Sequence, residues 1–210
     1  MSSDDSTLLP TGQDSSSTPE KDSMLFLFAA RCRKISPDFG WPSLLLLLLG
    51  PGDPIPQSEI FYYFFLAVPI AFCALFLRLM SQGYDRRKYF VVTGPYRYVR
   101  NPVELGSLLG FSAAATALSL PVWYTLSILV LAALYMSLIS ISYERDLKRN
   151  FGTAFVKYAS RVRRWIPLSL PAMNPSAQDY SFHLAVINER WTWAWVMGFL
   201  VIYAFRQRLG

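Results

Sequence analysis

Residues 121–142 (PVWYTLSILVLAALYMSLISIS) form a mostly apolar run without a charged side chain. A helix needs roughly 20 mostly apolar residues to cross the hydrocarbon core of a bilayer, and this run meets that requirement. Across the chain 53% of residues are hydrophobic and 16% are charged, whereas average soluble proteins carry about 25% charged residues. The sequence therefore favours an integral membrane protein over a soluble globular enzyme.

Four further segments are apolar enough to form membrane spans or parts of them. They are residues 35–49, 60–80, 103–119 and 191–205. Arg78 lies near the end of its segment, where a long cationic side chain can snorkel to the lipid headgroups. The sequence predicts an all-α, polytopic integral membrane bundle of about five transmembrane helices. Four spans are the alternative, if residues 35–49 turn back at Gly50 without crossing.

The cations are concentrated in two segments on either side of one hairpin. More than half of the 20 lysines and arginines lie in residues 81–102 and 143–168, and residues 103–142 form the hairpin between them. Two spans return the chain to its starting side, so both basic segments lie on one face, which the positive-inside rule makes cytoplasmic. We therefore predict a multi-pass protein whose functional face is cytoplasmic, in a bacterial inner membrane or the endoplasmic reticulum.

The remaining composition separates a tail from a membrane domain. Residues 1–23 are rich in serine and acids, which predicts a disordered tail ahead of a membrane domain over residues 24–210. His183 is the single histidine and no CxxC occurs, so we predict no metal site. The basic run 161–164 is typical of a segment that faces lipid headgroups, and nucleic-acid binding is not expected.

The polar stretch 143–160 has a helical apolar stripe. Leu147, Phe151, Phe155 and Tyr158 recur at spacings typical of one helix face, and Gly152 interrupts the pattern. We interpret this stretch as an amphipathic helix at the cytoplasmic membrane face that continues from the preceding span.

Residues 94–106 (GPYRYVRNPVELG) hold the densest cluster of unusual residues. Asn101 followed by Pro102 predicts a helix start with Asn as the cap, and Arg100 adds a planar donor fork suited to a carboxylate. Glu104 is a costly carboxylate at the start of an apolar span, and the hairpin brings Glu144 to the same face. The residues alone leave two interpretations open, a loop that binds anionic headgroups and a ligand site.

Two blocks of the sequence resemble one family of enzymes. Residues 94–106 are similar to the G-x-Y-R-x-x-R-H-P-x-Y-x-G signature of the isoprenylcysteine carboxyl methyltransferases and their phospholipid methyltransferase relatives. Residues 143–167 (YERDLKRNFGTAFVKYASRVRRWIP) resemble the family's block with an acidic pair, F-G-x-x-Y-x-x-Y and a closing I-P. The blocks occur in the family's order with one hairpin between them.

The resemblance implies a helical membrane enzyme that uses S-adenosylmethionine without a Rossmann fold. Arg100 and Glu144 are implied as the catalytic residues. The implied cofactor-binding residues are Tyr98, Arg100, Asn101, Pro102, Glu104, Leu105, Gly106, Glu144 and Arg164.

Three positions depart from the family pattern. Asn101 replaces the histidine, which excludes histidine-based acid–base work at this position. Glu104 replaces the motif tyrosine, and Tyr143 replaces the first acid of the acidic pair. An arginine that precedes this pair in eukaryotic carboxyl methyltransferases is absent as well, which argues against a prenylcysteine substrate.

The predicted function is methyl transfer to a lipid-like or small apolar acceptor at the cytoplasmic membrane face. The acceptor group is a carboxylate, thiol, amine or hydroxyl, and the lipid bilayer is the protein's immediate partner. Two alternatives stay open, a sterol-reductase-like enzyme that binds NADPH and a non-catalytic membrane scaffold with the same fold.

Overall fold

The computed structural model of the protein describes residues 40–51, 55–56, 58–85, 90–167 and 179–209, together with Met24, Leu27, Phe28 and Arg31. The regular structure in these residues is helical, which confirms the all-α prediction for this part of the chain. The predicted tail over residues 1–23 lies outside the described residues, as do residues 35–39 of the first predicted span.

The sequence breaks set the helix bounds. Proline-rich residues 50–59 separate the first two helices, Pro102 occupies the first turn of the third, and Pro121 precedes the fourth. The helices are α1 (Gly40–Leu49), α2 (Ile60–Gln82), a 3-10 helix (Gly94–Arg97), α3 (Pro102–Ala117), α4 (Val122–Arg161), α5 (Phe182–Asn188) and α6 (Arg190–Leu209).

One end of the bundle collects the basic segments, and we call it the basic end. Here the end of α2 meets the start of α5–α6, where Asn188 Nδ2 donates to the Gln82 carbonyl at 3.0 Å. The start of α3 meets the chain that follows α4, where the Arg100 amide donates to the Arg163 carbonyl at 2.9 Å. The basic end therefore joins helices α2 to α6 and contains both predicted blocks.

The opposite end is held by contacts to the last turn of α1. Arg206 Nη1 in α6 donates to the carbonyls of Leu47 at 3.1 Å and Gly50 at 3.0 Å, and the Tyr124 hydroxyl in α4 donates to Leu46 O at 2.8 Å. A cation at the negative end of a helix dipole is stabilising, and it satisfies carbonyls that the helix leaves open. Thus α3 and α6 run from the basic end to the opposite end, α2 and α4 run back, and α1 ends at the opposite end.

Two helices, α2 and α4, are long and apolar enough to cross a membrane among the described residues. Much of their surface is exposed apolar side chain, including Phe61, Phe65 and Phe72 on α2. Exposed apolar faces of this extent fit a bilayer better than water. Helix α1 has 10 described residues and α3 has 16, so five complete spans stay a prediction.

Helix α4 is 40 residues long and continues past the predicted span, as the sequence pattern indicated. Gly152 interrupts it with a φ of +49°, a conformation that glycine adopts without strain. The apolar stripe packs around Phe90, whose ring lies 5.0 Å from Phe151 and 5.4 Å from Tyr158. The predicted helix and its interruption are confirmed. The apolar stripe packs against Phe90 of the same chain.

The prediction that Arg78 snorkels to the headgroups is wrong. Only 5% of Arg78 is exposed, because the last turns of α2 pack against α3 and the α5–α6 junction. Glu189 lies at a break between α5 and α6, where it is buried as the partner of Arg78.

Gly106 allows α2 and α3 to approach closely. A Cβ atom at Gly106 would lie 2.5 Å from Arg78 Cγ and 3.1 Å from the Ala74 carbonyl oxygen. Gly110, one turn later on α3, has open space at the same position. The two glycines therefore form a matched pair in one helix.

We expect Gly106→Ala to lower the free energy of unfolding by about 1–3 kcal/mol, because the methyl group forces two packed helices apart. Gly110→Ala is expected to be neutral or to stabilise by up to about 1 kcal/mol, since alanine is the better helix former. Thermal unfolding of both variants in one detergent checks this. Equal transition temperatures for the two variants would contradict the close approach at Gly106.

Candidate functional site

The site is built at the first turn of α3. Pro102 occupies the predicted position at the helix start, but the Asn101 side chain does not cap the helix. Its Nδ2 instead donates to Ser140 Oγ on α4 at 2.8 Å. The predicted capping role of the Asn101 side chain is therefore wrong, because a buried serine on the neighbouring helix accepts its amide.

Backbone hydrogen bonds join the two blocks side by side. The Arg100 amide donates to the Arg163 carbonyl at 2.9 Å, and the Asn101 amide donates to the Arg164 carbonyl at 3.3 Å. These pairs are distant in sequence and meet because the α3–α4 hairpin returns the chain to the basic end. The residues that immediately precede α3 are therefore fixed by the segment that follows α4.

The Glu144 carboxylate lies between two arginines. Arg164 forms a bidentate fork, with Nε 2.8 Å from Glu144 Oε1 and Nη2 2.7 Å from Oε2, and Arg100 Nη1 lies 3.2 Å from Oε1. Bidentate arginine–carboxylate pairs are among the strongest hydrogen-bonded contacts in proteins. The hydrogen bond to Glu144, together with its charge, outweighs partial burial and raises the pKa of Arg164 above its already high ordinary value. Arg164 is therefore cationic at every physiological pH.

The 3-10 helix is held against the end of α4. The Tyr158 hydroxyl donates to the Tyr96 carbonyl at 2.7 Å. Gly94 has a φ of +56°, and a Cβ there would lie 2.6 Å from the Tyr84 hydroxyl oxygen. These contacts hold the 3-10 helix against the end of α4, and Tyr98, which follows it, is exposed at the surface.

Two guanidinium nitrogens at this site are buried without a hydrogen-bond partner among the described residues. They are Nε of Arg97 and Nε of Arg100. Buried donors are costly unless they are paired. Because Arg100 also contacts Glu144, and Arg97 belongs to the same motif segment, these donors suit an added anionic group such as a carboxylate.

The other predicted residues lie on different sides of α3. Pro102 is buried at the helix start, whereas Glu104 and Leu105 are half-buried in the first turn. Gly106 lies against Arg78 and Ala74 of α2. The structure thus brings together Arg100, Asn101, Glu144 and Arg164, and it turns Gly106 toward α2.

Sequence reasoning missed Ser140 as part of the site. Ser140 is fully buried and lies one helical turn before Glu144 on α4. This i, i+4 spacing places both side chains on one face of the helix and was the signal in the sequence that could have identified Ser140. Arg97 belongs to the motif segment, but nothing in the sequence indicates that its Nε is buried.

Comparison with known proteins assigns a family to this part of the chain. Residues 64–154 match the model of the phospholipid methyltransferase family, which belongs to the superfamily that also contains the isoprenylcysteine carboxyl methyltransferases. The family match at residues 64–154 agrees with the resemblance of the two sequence blocks and confirms it for this segment. The segment includes Arg100, Asn101 and Glu144, whereas Arg164 follows it. Comparisons with curated proteins and with solved structures gave no match.

We expect Ser140→Ala to cost about 1–3 kcal/mol of stability, because the buried Asn101 amide loses its acceptor. Ser127→Ala is the control on the same helix, since the Ser127 hydroxyl is exposed and donates to the Trp123 carbonyl of its own helix. Its effect is expected within about 0.5 kcal/mol. Chemical unfolding in detergent measures both, and a control as destabilised as Ser140→Ala would argue against the Asn101 contact.

Proposed function

We propose that this protein is an integral membrane methyltransferase that binds S-adenosylmethionine at the basic end and methylates a lipid-like or small apolar acceptor. The observation that carries the proposal is the Glu144 carboxylate held between Arg100 and Arg164, at the point where the two motif blocks meet. It lies in a domain whose family transfers methyl groups. The proposal places the basic end on the cytoplasmic side, in accord with the distribution of the cations.

The charges of the site fit the amino-acid part of the cofactor. A carboxylate group matches the unpartnered Nε donors of Arg97 and Arg100. An ammonium group matches Glu144, whose oxygens are already bonded by arginines. Arg97 and Arg100 would hold the carboxylate of the cofactor, and Glu144 would hold its ammonium in exchange for part of its contact with the arginines.

When bound, the cofactor supplies a methyl group made electrophilic by its positive sulfur. The work left to the protein is to align the acceptor for an in-line displacement and to exclude water. Asn101 holds no titratable proton, and its amide is directed to Ser140, so it orients neighbouring groups without acting as a base. Arg100 grips an anionic group, and Glu144 balances positive charge beside it.

The acceptor is expected to enter from the lipid. The described helices expose apolar faces on α2 and α4, and an apolar-tailed molecule can move along them without leaving the bilayer. The reactive group of the acceptor is then a carboxylate, thiol, amine or hydroxyl that reaches the basic end. A carboxylate or thiolate needs no base, which agrees with the absence of a titratable group at Asn101.

We expect Glu144→Ala to abolish binding of S-adenosylmethionine, because the site loses the only carboxylate that contacts both Arg100 and Arg164 among the described residues. Isothermal titration calorimetry of the purified protein measures the dissociation constant. Glu144→Gln keeps the size of the side chain and is expected to weaken binding strongly without loss of the fold. Glu59→Gln is the control, because Glu59 is exposed at the start of α2 at the opposite end.

Titration of the wild type with S-adenosylmethionine and with NADPH separates the competing functions. Binding of the first alone supports the methyltransferase, and unchanged affinity in Glu144→Ala would remove Glu144 from the site. Binding of NADPH alone would favour a reductase, and binding of neither would favour a scaffold. Lipid extracts incubated with cofactor labelled in its methyl group then reveal the acceptor by mass spectrometry.

A further inference from the structure

Arg78 in α2 makes a set of hydrogen bonds that joins three parts of the bundle. Its Nε donates to Glu189 Oε2 at 2.9 Å, and its Nη2 donates to Thr192 Oγ1 at 2.8 Å. Its Nη1 donates to Ser107 Oγ and lies 3.4 Å from the Val103 carbonyl oxygen. One guanidinium therefore links α2 to the first half of α3 and to the α5–α6 junction.

This contact is a buried ion pair. The side chains of Arg78 and Glu189 are 7% and 2% exposed. Removing one partner from a buried ion pair leaves an uncompensated charge, which is strongly destabilising. The stem of Arg78 lies against Gly106, where no side chain fits. Through its contacts with Gly106 and Ser107, Arg78 therefore fixes the separation of α2 and α3 as well as their relative height.

The helix that Arg78 holds also presents the candidate site. Val103 and Ser107 lie in the first two turns of α3, and Arg100 and Asn101 immediately precede that helix. A shift of α3 along its axis would move Arg100 relative to Glu144 on α4. Glu189 lies beyond the family-matched segment 64–154, so the C-terminal helices contribute the counter-charge that this domain requires.

We propose that Arg78 is a positioning residue of the methyl-transfer site, which it serves by holding α3 through Ser107 and Val103 while Glu189 compensates its charge. The proposal rests on the proposed function, since the site that Arg78 positions is the cofactor site. Arg78 makes none of the contacts to Glu144, so its effect on the cofactor passes through α3.

Ser107→Ala and Thr192→Val provide the test, because each removes one acceptor of the same guanidinium and leaves the ion pair with Glu189 intact. Ser107 lies on α3, whereas Thr192 lies on α6. We expect Ser107→Ala to raise the dissociation constant for S-adenosylmethionine by about fivefold, within the range of couplings between neighbouring sites. It should also speed hydrogen exchange in the peptide covering residues 98–106. Thr192→Val should leave both close to wild type, and Ser107→Thr should restore both.

Arg78→Lys is the second variant, since lysine can pair with Glu189 but cannot reach Ser107 and Thr192 together. It should behave as Ser107→Ala does. Wild-type affinity and exchange in both Ser107→Ala and Arg78→Lys would overturn the proposal, as would equal changes in Ser107→Ala and Thr192→Val. If the wild type binds no S-adenosylmethionine, the proposed function fails, and the exchange of residues 98–106 alone decides whether Arg78 positions α3.

Discussion

A charged side chain inside an apolar bundle needs a polar partner within the bundle. In the described residues, arginines that bind such partners join the helices to one another. Arg78 is paired with Glu189 between α2, α3 and the α5–α6 junction. Arg164 is paired with Glu144 where the chain leaves α4, and Arg206 is bonded to the carbonyls at the end of α1. Because an unpaired charge in such surroundings is costly, these contacts restrict how the helices can slide past one another.

The candidate site uses the same chemistry with less burial. Glu144 is only 15% exposed, yet the arginines that hold it are more accessible, with Arg164 at 34%. The charges of the site are therefore partly balanced before any ligand arrives. A zwitterionic ligand can replace an arginine–Glu144 contact with one contact to the arginine and one to Glu144. Its affinity then depends on how much stronger these two contacts are than the one they replace, and less on the area that is buried.

Much of the fold follows from local sequence signals. Apolar runs located the helices, Pro102 located the start of α3, and the cations located the basic end. The side-chain partners did not follow, because they join residues far apart in sequence. A charge near the end of an apolar run looks the same whether it snorkels or pairs, and only the fold places Glu189 beside Arg78. Asn101 likewise matches a capping pattern, while its actual partner Ser140 comes from the next helix.

The length of helix α4 also sets the depth of Glu144 relative to the bilayer. With a rise of 1.5 Å per residue, the backbone at Glu144 lies about 33 Å along the axis from Val122, and the hydrocarbon core of a bilayer is about 30 Å thick. A helix that enters the core at Val122 therefore brings Glu144 to the level of the headgroups on the other side. If the site transfers methyl groups as proposed, this depth favours acceptors whose nucleophile lies at the glycerol or headgroup level, because a nucleophile buried among the acyl chains has to move outward to reach the site.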